Sequence, residues 1–117
     1  MEKIFLFGTD EDTSDYISKI AGNMRIKVSS VPFDLYENTI GDIIENKAVP
    51  GDCGNVPGEA LMLFCEVSEK HLDSIVAKLR RSQCKVDYKA VLTRTNRTWS
   101  VKKLFFAMEQ ERKAHGG

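Results

Sequence analysis

The chain has 117 residues, 42% of them hydrophobic, which suits one folded domain and excludes a disordered chain. Lys plus Arg and Asp plus Glu both number 17, so the formal net charge is zero and the broad basic footprint of a nucleic-acid binder is absent. No apolar run approaches the roughly 18 residues of a membrane span, and Met1-Glu2-Lys3-Ile4 leads straight into a strand pattern, so a cytoplasmic location is expected.

Ile4-Phe5-Leu6-Phe7, ended by Gly8, reads as a buried strand. Asp12 is expected to cap a helix, with Asp15 in its first turn and Tyr16, Ile17, Ile20, Ala21 and Met24 on one apolar stripe. Ile26, Val28 and Ser30 alternate with Lys27 and Ser29 as a half-buried strand that Pro32 stops. Ile40, Ile43 and Ile44 mark a short amphipathic helix capped by Thr39, and Val49 to Gly58 is an irregular, turn-rich loop. The order then repeats. Ala60 to Cys65 is a second apolar strand, and Ser68 caps a helix with Leu72, Ile75, Val76 and Leu79 on its inner face. Lys78, Arg80 and Arg81 complement that helix's C-terminal dipole. Val86, Tyr88, Ala90, Val91 and Leu92 form the closing strand, and Ser100 caps a last helix carrying Val101, Leu104, Phe105 and Met108. His115-Gly116-Gly117 is expected to fray.

Residues 3–31 and 60–92 thus share the order strand, helix, strand with little residue identity, which makes the repeat architectural. The expected fold is α+β: one domain over 1–117, with two βαβ units forming a ferredoxin-like four-stranded sandwich. The first strand of each unit, apolar at successive positions, is expected at the centre, and the second, alternating, at the edge. Residues 32–59 are the inserted helix and loop, and residues 93–115 the closing loop and C-terminal helix. A doubly wound parallel sheet fits less well, because four strands are evident.

Tyr88-Lys89-Ala90-Val91-Leu92-Thr93-Arg94-Thr95-Asn96-Arg97-Thr98-Trp99-Ser100, preceded by the helix that begins at Ser68, resembles a family of small bacterial domains of unknown function. The family's mark is a strand ending in Lys-Ala, then Thr-x-Thr-Asn-x-x-Trp-Ser/Thr, then a terminal helix. Lys89, Ala90, Thr93, Thr95, Asn96, Trp99 and Ser100 match it, whereas Arg94 stands where many relatives carry proline. The resemblance covers about residues 60 to 113 and implies a domain plan without an activity.

The same run is the candidate ligand site: Thr93, Arg94, Thr95, Asn96, Arg97, Trp99 and Ser100. Thr93, Thr95 and Asn96 suit a backbone-bonded turn, and Trp99 before Ser100 suits a hydrophobic staple on Leu104. The functional alternative uses the same atoms, because a helix N-terminus flanked by Arg94 and Arg97 attracts phosphate or carboxylate. Capping chemistry alone accounts for these residue types, so the structural reading is preferred.

No catalytic residue, metal ligand or cofactor is expected. Cys53, Cys65 and Cys84 are an odd set without Cys-x-x-Cys spacing, which suggests neither disulfides nor zinc. Cys53 sits in a Gly/Pro-rich loop where an exposed nucleophile is conceivable, but His71 and His115 offer it no evident base. The acidic cluster Asp10, Glu11, Asp12 and Asp15 suits a helix N-terminus better than Mg²⁺. Three functions remain: a non-enzymatic interaction module that self-associates or docks a protein partner; a small-anion-binding regulatory domain; and, least favoured, an RNA-binding module, since Phe5, Phe7 and Phe64 lie among core neighbours. In the first reading the sheet face away from the helices is covered by a second copy or by the added C-terminal helix.

Overall fold

The computed structural model describes residues 1–116, with side chains through residue 114. Its elements in chain order are β1 (Lys3–Phe7), α1 (Glu11–Gly22), β2 (Lys27–Val31), α2 (Ile40–Ile44), β3 (Leu61–Cys65), α3 (Glu69–Arg81), β4 (Tyr88–Val91) and α4 (Val101–Gly116), with 3-10 turns at Phe33–Leu35 and Asn96–Thr98. They fall into two units. The first comprises Met1–Val31 and Glu59–Val91, and the second Pro32–Gly58 and the chain from Leu92 onward. No helix among the described residues is long and apolar enough to cross a membrane.

The first unit is a mixed sheet of order β2-β1-β3-β4 with helices α1 and α3. β1 pairs with β2 and β3 with β4 in parallel, each across its own helix, as a parallel pair requires. β1 and β3 meet antiparallel at the centre, with Phe5 opposite Leu63. The fold is therefore α+β with the apolar first strands central and the alternating second strands outside. The ferredoxin-like order is not the one found. There the two strands of each unit are separated by a strand of the other, whereas here they are neighbours. The all-parallel alternative fails on the antiparallel β1/β3 pair.

Alternate strand positions Ile4, Leu6, Met62 and Phe64 pack with Ile17, Ile20 and Ala21 of α1 and Ile75 and Leu79 of α3. Full burial of an aliphatic or aromatic side chain of this kind contributes about 1.5–3 kcal/mol. Tyr16, Met24, Leu72, Val76 and Val86 pack partly buried around this cluster. Ser30, expected to face inward, is exposed, and Val31 is the buried residue at the end of β2.

The caps follow the chemistry of the strand-to-helix turns. Ser68 accepts from the His71 N–H at 3.2 Å, as its position predicts. The cap of α1 is Asp10, which accepts from the Thr13 N–H at 2.7 Å, in place of the expected Asp12. Glu11 and Asp12 instead occupy the first turn, where the dipole favours them. Two residues before each cap, the chain turns through a positive φ: 73° at Gly8 and 56° at Glu66. Glycine reaches that region freely, whereas a side chain there is strained.

The second unit joins the two segments that the sequence presents as separate additions. Thr39 and Ser100 form an antiparallel bridge. The Ile40 N–H donates to the Trp99 carbonyl at 2.8 Å, and the Val101 N–H to the Asn38 carbonyl at 3.2 Å. Tyr36, fully buried, stacks on Phe105 with ring centroids 5.8 Å apart and meets Phe33 edge-on at 5.5 Å. Burial pushes the Tyr36 phenol up to about 12, so it is neutral at pH 7. The expected fraying of His115-Gly116-Gly117 falls at the limit of the description: α4 is helical through Gly116, and Gly117 lies outside the described residues.

Glu66→Gly removes the strained backbone and is expected to raise stability by about 0.5–1 kcal/mol, while Gly8→Ala lowers it by about 1–2 kcal/mol; urea midpoints of the two variants check both signs. Acid sensitivity follows from Glu2, whose carboxylate accepts from the Ser68 N–H at 2.8 Å and pairs with His71 Nδ1 at 2.8 Å. The Ser68 N–H, then the His71 bond, hold its carboxyl below the usual 4.5. A carboxyl with a lowered folded pKa stabilises above its unfolded value and loses that contribution as pH falls through the folded one. Urea midpoints of Glu2→Gln measured from pH 7 downward are expected to show a shallower acid limb than wild type.

Candidate functional site

The Thr93–Ser100 run connects β4 to α4 and is held by its own side chains. The Thr93 N–H donates to Asn96 Oδ1 at 2.8 Å, and the Asn96 N–H returns to Thr93 Oγ1 at 3.0 Å. This reciprocal pair fixes the 3-10 turn and buries Asn96 to 8% exposure. Thr98 Oγ1 donates to the Thr95 carbonyl at 2.8 Å, and the Trp99 N–H to the Asn96 carbonyl at 3.0 Å. The run then ends at Ser100, whose Oγ accepts from the Lys103 N–H at 3.1 Å and caps α4.

The first N–H groups of α4 bond within the fold. A helix N-terminus binds anions through its unpaired N–H groups. Here the Val101 N–H goes to Asn38, the Lys102 N–H to the Tyr36 carbonyl at 3.3 Å, and the Lys103 N–H to Ser100 Oγ. Arg97 reaches Glu45 Oε2 at 3.3 Å, and this bond, with Lys47 beside it, lowers the Glu45 carboxyl. Arg94 is exposed on the turn. The structure thus brings Thr93, Asn96 and Ser100 into one bonded turn, directs Arg97 to α2, and leaves Arg94 outside it.

Trp99 is partly buried, with the Lys103 ammonium 4.9 Å from its ring centroid. One turn further along α4, Phe106 is 61% exposed while Phe105 is buried, as the adjacent pair predicts. Lys103 and Phe106 are one turn apart on α4, while Trp99 precedes the helix in extended backbone and meets it through Lys103.

Around the turn lie contacts that the sequence did not signal. Gly41 in α2 approaches so closely that a Cβ there would stand 3.2 Å from the Arg97 carbonyl. Asn38 accepts from the Val49 N–H and donates to the Val49 carbonyl, at 3.0 and 2.9 Å. Lys102 pairs with Glu37 at 2.9 Å and donates to the Cys53 carbonyl. The loop is thereby tied down, and Cys53, considered above as an exposed nucleophile, is buried to 7% exposure. Its thiol points to the Gly51 carbonyl at 3.7 Å. Cys65 is buried in β3, as expected. Among the described residues no group of His, Cys, Asp and Glu could hold a metal ion.

Removing a bonded member of the turn costs stability. Asn96→Ala is expected to lose about 1–3 kcal/mol and Ser100→Ala about 1 kcal/mol. Arg97→Ala, which breaks an exposed ion pair, stays within about 1 kcal/mol. Thermal denaturation ranks the three, and a ranking led by Arg97→Ala contradicts the description. Compared with known proteins, residues 60–114 match a family model described as a domain of unknown function (DUF3783). The match spans β3, α3, β4, the Asn96–Thr98 turn and most of α4. No curated protein and no solved structure matches the chain. What the comparisons identify over this half is a domain of unknown function.

Proposed function

We propose that the protein is a non-catalytic interaction module that docks protein surfaces, a second copy of itself first, through the α4 face carrying Lys103 and Phe106, with Trp99 beside Lys103. The supporting observation is the exposure of Phe106, at 61%, one helical turn beyond Lys103, whose ammonium lies over the ring of the partly buried Trp99. Aromatic anchors with a nearby cation are the residue types that dominate docking energetics. The side chains of Thr93, Asn96 and Ser100 bond within the fold, which favours docking over an anion site.

In this reading the Lys-Ala…Thr-x-Thr-Asn-x-x-Trp-Ser run is the architectural signature of the bacterial family. It sets the turn and starts the helix that presents the docking face. Three cysteines outside any disulfide among the described residues fit a reducing compartment and support a cytoplasmic location.

Light scattering over a concentration series tests the reading. In protein kept native throughout and never refolded at high concentration, the wild type is expected to gain mass with concentration, and Phe106→Glu to remain monomeric with an unchanged thermal midpoint. A wild type that stays strictly monomeric at millimolar concentration removes self-docking.

A further inference from the structure

The repeat runs deeper than two strand-helix-strand units. Gly8 and Glu66 occupy the same turn at positive φ, and Asp10 and Ser68 the same cap. Ile4 and Met62, Leu6 and Phe64, Ile17 and Ile75, and Ala21 and Leu79 are core pairs at that same sequence separation. Each half then continues past its outer strand through a 3-10 turn to a capped helix, α2 or α4. The caps Thr39 and Ser100 stand as far apart in sequence as Lys27 and Tyr88, which begin the two outer strands.

The halves also meet at equivalent places. Phe5 and Leu63 are equivalent positions and face each other at the middle of the β1/β3 pairing. Thr39 and Ser100 are equivalent and bridge each other, with the residue after each cap donating to the residue before the other. Pairing between equivalent positions is the signature of an isologous, self-complementary interface.

We infer that residues 3–44 are a diverged second copy of the module matched over 60–114, and that the chain is a fused pair whose halves exchange with those of a second copy of this chain. The surfaces involved are the β1/β3 seam and the Thr39/Ser100 pair. The hinge is the part of the connection between α2 and β3 that follows the bonded Cys53, with no helix or strand from residue 54 to 60. Opening it exposes in each half a surface that fits the opposite half of another chain. This inference is independent of the α4 face.

Lys3 lies opposite the native Cys65 across the seam. In a Cys53→Ser, Cys84→Ser background, Lys3→Cys lets oxidation record which β1 lies beside which β3. The protein is refolded from denaturant at rising concentration, oxidised, and run on a non-reducing gel. Intramolecular pairing yields crosslinked monomer, and exchange yields covalent dimer. The dimer fraction is expected to rise about tenfold from micromolar to near-millimolar refolding, following mass action, and to do so equally with Phe106→Glu added. Crosslinked monomer at every concentration, or no crosslink at all, overturns the inference. A second measurement needs no substitution: wild type co-refolded from isotope-labelled and unlabelled chains is examined by native mass spectrometry. Mixed-isotope dimers that persist on dilution support exchange, and monomers alone refute it.

Discussion

The antiparallel pairing of β1 with β3 is the constraint on which the first unit rests. A strand-helix-strand unit of about thirty residues cannot bury the apolar face of its own two strands, because two-stranded pieces are marginal in water. Joined at β1 and β3, two such units make a four-stranded sheet, and Ile4, Leu6, Met62 and Phe64 form one continuous layer against both helices. The parallel outer pairs add two edges, and both are short, at five and four residues, which limits their value as templates for another chain.

Much of this architecture is legible in the residues. Continuous apolar runs at Ile4–Phe7 and Leu61–Cys65 mark central strands, and the positions of Thr39, Ser68 and Ser100 before apolar-periodic stretches mark three helix starts. Strand order is not legible, for a physical reason. In both the ferredoxin-like order and the observed one, β1 and β3 are central and β2 and β4 are outside. Burial patterns report centre and edge, and these are the same in both, so hydrophobicity cannot separate them. The misplaced cap has a similar cause. Asp10, Asp12 and Asp15 are all competent caps by type, and the choice is made by the turn at Gly8, whose positive φ leaves Asp10 at the helix entrance.

The candidate turn shows that capping chemistry and anion binding draw on the same residue types. Threonine, asparagine and arginine around a helix start are the groups that hold a phosphate, and they are equally the groups that close a 3-10 turn and satisfy helix N–H donors. Which applies depends on partners distant in sequence. Glu45 takes Arg97, while Asn38 and Tyr36 offer carbonyls to the first N–H groups of α4, and none of the three is marked by local spacing. The Thr93–Asn96 reciprocal pair, by contrast, is local and readable.

The β1/β3 seam holds the two strand-helix-strand units as one cooperative sheet. Native-state hydrogen exchange addresses it most directly, because amides that open only with the whole molecule exchange at the limit set by global stability. The slowest amides are expected on β1 and β3, with the positions around Phe5 and Leu63 sharing one opening free energy equal to the stability from denaturant unfolding. Protection concentrated in one half, with the equivalent strand of the other opening at a distinctly lower free energy, would contradict it.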